Sequence, residues 1–442
     1  MNRVFKYLPI TLSCVGLFLF IIEGAASNGE AAASFQVDAA SAQIKYVATT
    51  GSNSHGTGSK AQPWATISYA IDQVTDGTII EVAPGTYNGR VSLDQQFQTG
   101  VVIRSAIPYQ ARLRHNSGAA LTCFSCRGIS VEGFDVAHTA DNSGALVIQI
   151  QNAASRNVTL RNNIIHDSTN NDLLKVNNGA RNITIKGNIF YNQAGSDEHI
   201  DINSVENVKV LDNIFFNSKS QAVTSSFIVV KDSNGNSDGV LGAKSISIRR
   251  NIFLNWQGND GQSFVRVGED GTSNFEASDV LIENNLMLGN SSRLMRSALT
   301  IQGSSNIRFQ FNTVVGNLPS RSFAARLLAT GSNKPNEGII LSNNIWSDPN
   351  GSMGAEGFIG ADVFDAPTGD NTSASLQNNL YYNGGNGIPT DAGQEVNIGD
   401  DSNPIVGNPL LANLNEITLP VFDGAMFGGE FANIRNVFVD LA

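Results

Sequence analysis

A single domain built as a coil of parallel β-strands, with three short strands per turn, is the fold this sequence predicts. Three observations point to it. A five-residue strand-like stretch recurs from Val147 to Val267 and beyond, an Asn follows a second apolar strand at a repeating interval, and the composition favours turns over helices. The recurring stretches are VIQIQ (147–151), LLKVN (173–177), HIDIN (199–203), FIVVK (227–231) and FVRVG (264–268), then ALTIQ (298–302) and RLLAT (326–330). Their second and fourth positions are apolar throughout, from Ile148 and Ile150 to Leu327 and Ala329. Strand side chains alternate faces, so both columns are expected to point into a core. The first, third and fifth positions are then expected to point out. They hold Gln149, Lys175, Asn177, His199, Asp201, Asn203, Lys231 and Arg266.

The second observation is the Asn. It stands at 163, 188, 213, 251, 285, 312, 344 and 379, at intervals of 25, 25, 38, 34, 27, 32 and 35 residues. A constant minimum with variable excess means a fixed turn of coil carrying loop insertions. Asn at one corner can stack from turn to turn, each amide bonding its neighbour and satisfying backbone groups at a buried bend. All eight are therefore read as a structural ladder. Third, 43 Gly among 442 residues suit many turns between short strands. The formal charge of −11 disfavours a nucleic-acid partner. The same field would repel an anionic polysaccharide at long range unless a local basic patch or bound cations offset it.

In chain order, Arg3 and Lys6 precede the apolar run Leu8–Ile22, and Gly24, Ala25, Ala26 and Ser27 offer small residues for cleavage. Residues 1–27 are thus read as a signal peptide, with an N-terminal anchor as the alternative. Cleavage would leave a secreted protein, extracellular or periplasmic, with no membrane contact and no sign of more than a monomer. An Ala- and Ser-rich spacer covers 28–43. The coil with its N-terminal cap is placed at 44–382, and a terminal cap that shields the last turn at 383–442. Ile67, Ala70, Ile71 and Val74 fall at helical spacing just after Pro63, which predicts a short helix over the open end. Cys123 and Cys126 in LTCFSC lack a second pair for a zinc site, and their apolar setting favours buried structural cysteines, bridged or free.

The outward columns carry the candidate chemistry. With neighbouring turns about 4.8 Å apart, Lys175 and Asp201 are expected to be direct neighbours, and Lys231 and Arg266 to lie diagonally across one turn. Asp172, Asp197, Glu198, Glu269 and Asp270 gather at strand ends, and the longest insertions, between Asn188 and Asn285, flank the same turns. Exposed charges often pair for solubility alone, but a row of cations with a His, carboxylates and long loops also suits cleavage of a uronate glycan by elimination. That reaction needs a base for the C5 proton, a neutralised carboxylate and a proton for the leaving oxygen. Calcium on the carboxylates would bridge an acidic protein to an acidic glycan.

Two resemblances bear on this reading. The segment KYVATTGSNSHGTGSKAQPWATISYAIDQVTDGTIIEVAPGTYNG resembles the N-terminal cap of secreted right-handed parallel β-helix proteins with the pectin lyase fold, several of them polysaccharide lyases. SFIVVKDS (226–233), followed one turn later by SFVRVGEDG (263–271), is similar to the Lys-then-Arg pair of the chondroitinase B and alginate lyase family. That resemblance implies Lys231 as the base and Arg266 as the group at the carboxylate or leaving oxygen. Arg266 stands two residues before the family's Arg, whose place Gly268 takes, and Thr224 and Ser226 replace the family's acidic calcium ligands. Lys175, Asn177, His199, Asp201 and Asn203 are the expected substrate contacts. Pectate lyases of similar cap use a Lys base with an Asp cluster for calcium; no such cluster is evident here beside one Lys. Hydrolysis of the polygalacturonase kind needs three acids on adjacent turns, and the outward columns show only Asp201. The alternatives are a non-catalytic glycan-binding or adhesive surface protein and a uronate C5-epimerase.

Overall fold

The structure is a computed structural model that describes residues 42–193, 198–218, 225–259, 262–289, 291–293, 295–316, 323–353 and 363–411. The signal peptide, nearly all of the spacer and the last part of the expected C-terminal cap lie outside the described residues. Three all-parallel sheets of 12, 10 and 12 strands, counted among the described residues, run the length of the chain. Successive strands pass from one sheet to the next, so each turn adds one strand to all three: a right-handed parallel β-helix. The strands are short and β-branched, and Gly, Asn or Asp takes many of the positive-φ corners, as at Asn162, Gly187 and Asp212.

The N-terminal end is closed as expected. Ile67–Gln73 is a helix; the Thr66 side chain accepts from the Tyr69 backbone N–H, and Ile67, Ala70 and Ile71 bury their side chains over the first turn. Cys123 and Cys126 are both fully buried and joined in a disulfide.

The Asn ladder runs unbroken from Asn163 to Asn379. At each step the backbone N–H and the side-chain Nδ2 of one Asn donate to Oδ1 of the next, as from Asn188 to Asn213 at 2.9 and 3.1 Å. Nδ2 also donates to a carbonyl in the preceding strand, Leu160 O in that case. A side chain of this length with one acceptor and two donors meets all three needs of a buried bend. The ladder ends on an acid: Asn379 N and Nδ2 donate to Asp401 Oδ2 at 3.1 and 2.7 Å, and the Tyr381 hydroxyl donates to the same oxygen.

The interior is a continuous apolar column with stacked rings along it. Phe190, Phe215 and Phe253 succeed one another with centroids 5.0 Å apart. The expected register of the last repeat needs correction. Arg326 sits beside Thr300 and Leu327 beside Ile301, two residues from the alignment that RLLAT suggests, so Ala325 rather than Leu327 continues the Leu299 column and Ala329 has no place in it.

Candidate functional site

The ten-stranded sheet places the expected row. Its central outward column reads Gln149, Lys175, Asp201, Val229, Arg266, Thr300 and then Arg326. Lys175 and Asp201 are neighbours and form an ion pair, with Asp172 Oδ2 at 3.9 Å from the same ammonium. Lys231 Nζ lies 2.5 Å from Glu269 Oε2 and 4.0 Å from Asp201 Oδ2. Arg266 Nη1 donates to the other oxygen of Glu269 at 2.9 Å, and Nη2 to Gln302 Oε1 at 3.2 Å. Glu269 therefore bridges the two residues that the resemblance singled out.

The expectation for the first strand position is corrected. His199 is fully buried; its ring faces Phe227 at 4.6 Å, and its Nε2 shares a hydrogen bond with Asn217 Oδ1. The same position elsewhere holds Val147, Leu173, Phe227 and Phe264, all members of the core. Alternation thus breaks at the strand entrance, where two successive residues turn inward. The residue before them turns outward instead, and this brings Glu198 beside the row. Asp172, Glu198 and Asp201 each place a carboxylate oxygen within 4.8 Å of the others. Burial of the His199 ring pushes its pKa down to about 3, so it is neutral.

Asn177 and Asn203 are 7 and 4 % exposed. Asn203 is engaged within the protein: its Nδ2 donates to Ser233 Oγ at 2.6 Å, and its Oδ1 accepts from Ser233 N and Ser204 Oγ. Asn177 Oδ1 is buried with no hydrogen-bond partner among the described residues. Asp197 and part of the expected groove wall, residues 194–197, 219–224 and 260–261, lie outside the described residues.

Two further carboxylates order the loops around the row. Glu276 is fully buried and accepts from the backbone N–H groups of Glu269, Asp270 and Gly271 at 2.6, 2.9 and 2.7 Å. It fixes the turn that presents Glu269. Asp232, also fully buried, accepts from Ser204 Oγ, Asn234 N, Gly242 N and Asn274 Nδ2, and so ties down the loop after Lys231. Neither was evident from spacing, because a loop carboxylate becomes a clamp only when its loop folds back over it.

Charge is unevenly distributed in depth. Lys175, Lys231 and Arg266 keep 22, 13 and 16 % of their side chains exposed, while Asp172 and Asp201 keep 1 %. Burial alone would lower the Lys231 pKa, but Asp201, Glu269 and Glu198 outweigh it and hold the ammonium firmly protonated. Lys175 is raised in the same way by Asp201 and Asp172 against its burial. Glu198 moves well above the usual carboxylate range, through burial first and then the neighbouring charges of Asp172, Glu269 and Asp201. Ser225 Oγ donates to its Oε1 at 2.6 Å, whereas Oε2 has no partner among the described residues; nor does Asp201 Oδ1. Such orphaned hard oxygens beside a third carboxylate fit a calcium ion by donor type, with the two ammonium groups competing for Asp201.

Comparison with known proteins supports the architecture. Residues 49–101 match the model of a family described as a protein of unknown function, DUF1565. No curated protein matches the sequence. Among solved structures, the chain resembles a GH136 lacto-N-biosidase from Eubacterium ramulus, at TM-score 0.56 and 11 % identity over 82 % of this chain and 67 % of that one. It is also similar to an alginate lyase from Paenibacillus sp. str. FPU-7, at TM-score 0.49 and 18 % identity over 63 and 91 % of the two chains. A mannuronan C-5 epimerase module from Azotobacter vinelandii gives TM-score 0.41 and 12 % identity over 75 and 91 %. At these identities the likeness is one of fold: the chain is a parallel β-helix.

Proposed function

We propose that this chain is a secreted, monomeric protein that binds an acidic polysaccharide on the outward face of the ten-stranded sheet and cleaves it by β-elimination. The observation that supports the reading is the row itself: Lys175, Lys231 and Arg266 stand side by side on this face over the buried carboxylates of Asp172 and Asp201, with Glu269 level with the two cations it bridges. A polyanion bound here would compete with Asp201 and Glu269 for Lys175, Lys231 and Arg266, exchanging one carboxylate partner for another. Fold likeness to a lacto-N-biosidase agrees with a glycan as ligand.

In this scheme Arg266 and Lys175 neutralise the uronate carboxylate, which makes the C5 proton acidic. Lys231, once deprotonated, takes that proton; the C5–H electron pair becomes the C4–C5 double bond, and the C4–O bond breaks. Glu198, held protonated, lies in the same cluster to supply the leaving oxygen with its proton. Calcium, where it takes part, would be held by Asp172, Glu198 and Asp201 and would add positive charge for the substrate carboxylate; Glu198 would then be ionised, so its acid role belongs to the calcium-free site. Because the site holds Lys231 protonated, turnover should climb with pH into the alkaline range.

A second reading rests on a specific observation. Asp172, Glu198 and Asp201 converge from adjacent turns, which is the carboxylate grouping that glycoside hydrolysis needs. An epimerase would share the proton abstraction without bond cleavage, and an adhesive protein would need binding alone. One assay separates them. The mature protein is incubated with alginate, pectate, chondroitin and dermatan sulfate, each with calcium and with chelator. Ultraviolet absorbance of unsaturated uronate that disappears in Lys231→Ala supports elimination. New reducing ends without absorbance, lost in Glu198→Gln, mark hydrolysis. Neither signal on any glycan leaves a binding face or, where C5 configuration changes, an epimerase.

A further inference from the structure

The first sheet carries a second set of cations, away from the sheet that holds Lys231. Its strands Arg127–Glu132, Arg156–Arg161 and Arg181–Lys186 pair in register on three successive turns, so Arg127, Arg156 and Arg181 stand one above another. Strict alternation would send all three inward with core residues such as Val158 and Ile183. A residue of positive φ follows each Arg, Gly128, Asn157 and Asn182 in turn, and takes the strand entrance out of alternation. Each Arg is partly exposed instead.

Turns about 4.8 Å apart hold the three guanidinium groups close, and like charges on adjacent strands destabilise a sheet. A neighbouring column of the same face shows how this cost is ordinarily avoided. Glu81, Arg104, Glu132 and Arg161 alternate in sign, with Arg104 and Glu81 paired at 2.9 Å and Arg161 and Glu132 at 2.7 Å. Arg127, Arg156 and Arg181 have no carboxylate within 4.0 Å among the described residues, Glu206 on the next turn included. Arg127 Nε is buried with no hydrogen-bond partner among them. Together the three strands present Arg127, Arg156, Arg161, Arg181 and Lys186 against Glu132 alone, and only Lys186 reaches beyond them, to Asp212 Oδ2 at 3.8 Å. The column repels itself and gains no partner from within the chain.

We propose that it binds a linear polysaccharide bearing carboxylate or sulfate groups, laid along the coil axis and held there without cleavage. One guanidinium per turn on a straight line suits an extended polyanion, and each presents a fork of donors to its acidic oxygens. The surroundings suit sugar hydroxyls. Thr159 and Thr184 sit on the same strands, between core-facing residues. Beside the Arg column runs a row of amides: Asn182 Nδ2 donates to Asn157 Oδ1 at 3.0 Å, and Asn207 Nδ2 to Asn182 Oδ1 at 2.8 Å. A nucleic acid fits less well, because the three strands offer no aromatic side chain on which a base could stack, and the net charge of −11 opposes it at long range. This face does not rest on the elimination reading, since neither Lys231 nor its neighbours belong to it.

The test uses the full chain and immobilised alginate, dextran sulfate, neutral dextran and double-stranded DNA. Binding is measured over a salt series for the parent, for Arg156→Gln with Arg181→Gln, and for Thr159→Glu with Thr184→Glu. The second pair keeps every Arg and sets carboxylates beside them. Each pair is made in the parent and in the Lys231→Ala background, so that loss on this face is read apart from any change at the other. Affinity for alginate or dextran sulfate should fall about tenfold at low ionic strength in both pairs and both backgrounds, with a shallower salt dependence. The Gln pair should melt no lower than the parent, because it relieves repulsion. Undiminished polyanion binding by either folded pair would overturn the proposal, as would equal binding of neutral dextran or a preference for DNA.

Discussion

The outward faces of the ten-stranded sheet and of the third sheet are built by the same repeat, yet one is a row of charges and the other a row of hydrocarbon and rings. On the first, strands carry one apolar column pair and spend their outward positions on Lys175, Asp201 and Arg266. On the second, strands are apolar on both sides, with His166, Tyr191 and Phe216 stacked at 4.7 and 5.1 Å down one outward column. Strands buried on both faces read as continuous apolar runs, and NIFY (188–191) and NIFF (213–216) are such runs. The backbone scaffold is thus indifferent to what its faces carry; burial and exposure are decided column by column, and each face is open to its own test.

The largest effect is expected from the apolar face. Phe216→Ala removes a fully buried ring that stacks on Tyr191, and should cost about 3–5 kcal/mol in denaturant unfolding. Glycan cleavage by the folded variant should be unchanged, since the ring belongs to the other side of the coil. A loss below 1 kcal/mol, roughly a surface value, would erase the distinction between a covered face and an open one.

Lys231→Ala probes the charged face in the opposite sense. Removing the general base of the proposed elimination should lower turnover about 100-fold or more, with far-ultraviolet circular dichroism unchanged. Full activity in this variant would leave the row as a binding surface.

Legibility followed the same divide. The ladder, the capping helix and the Lys175–Asp201 pairing could be read because each follows a strict period that short-range geometry enforces. What was missed broke a period. Alternation fails at the strand entrance, so His199 turns into the core while Glu198 turns to the row. The register of the Arg326 strand slipped by two because both alignments present apolar columns. Gly268 illustrates a substitution that the structure explains: at φ +86°, a Cβ there would sit 1.7 Å from Gln302 O. No Arg fits at that position, and the guanidinium on this turn comes from Arg266 instead, anchored by Glu269 and Gln302. Glu276 and Asp232 act across loops, where sequence separation carries no periodic signal.

The smallest effect concerns Glu198 and its pH dependence. In the folded protein its carboxyl holds a proton to higher pH than in the unfolded chain, because burial and the charges of Asp172, Glu269 and Asp201 oppose ionisation. The native state therefore binds more protons between the two values, and stability falls as pH rises from the ordinary Glu range through the raised one. Glu198→Gln mimics the protonated side chain and removes this slope. Below the ordinary carboxylate range the variant and the parent should melt together. As pH rises past it, the variant should melt progressively higher, and the gap should close if calcium binds the triad and relieves the same repulsion. Melting curves from pH 4 to 9 with and without calcium read this directly. A gap that stays constant with pH would mean that Glu198 is ionised throughout, and the acid role assigned to it on the charged face would fall with it.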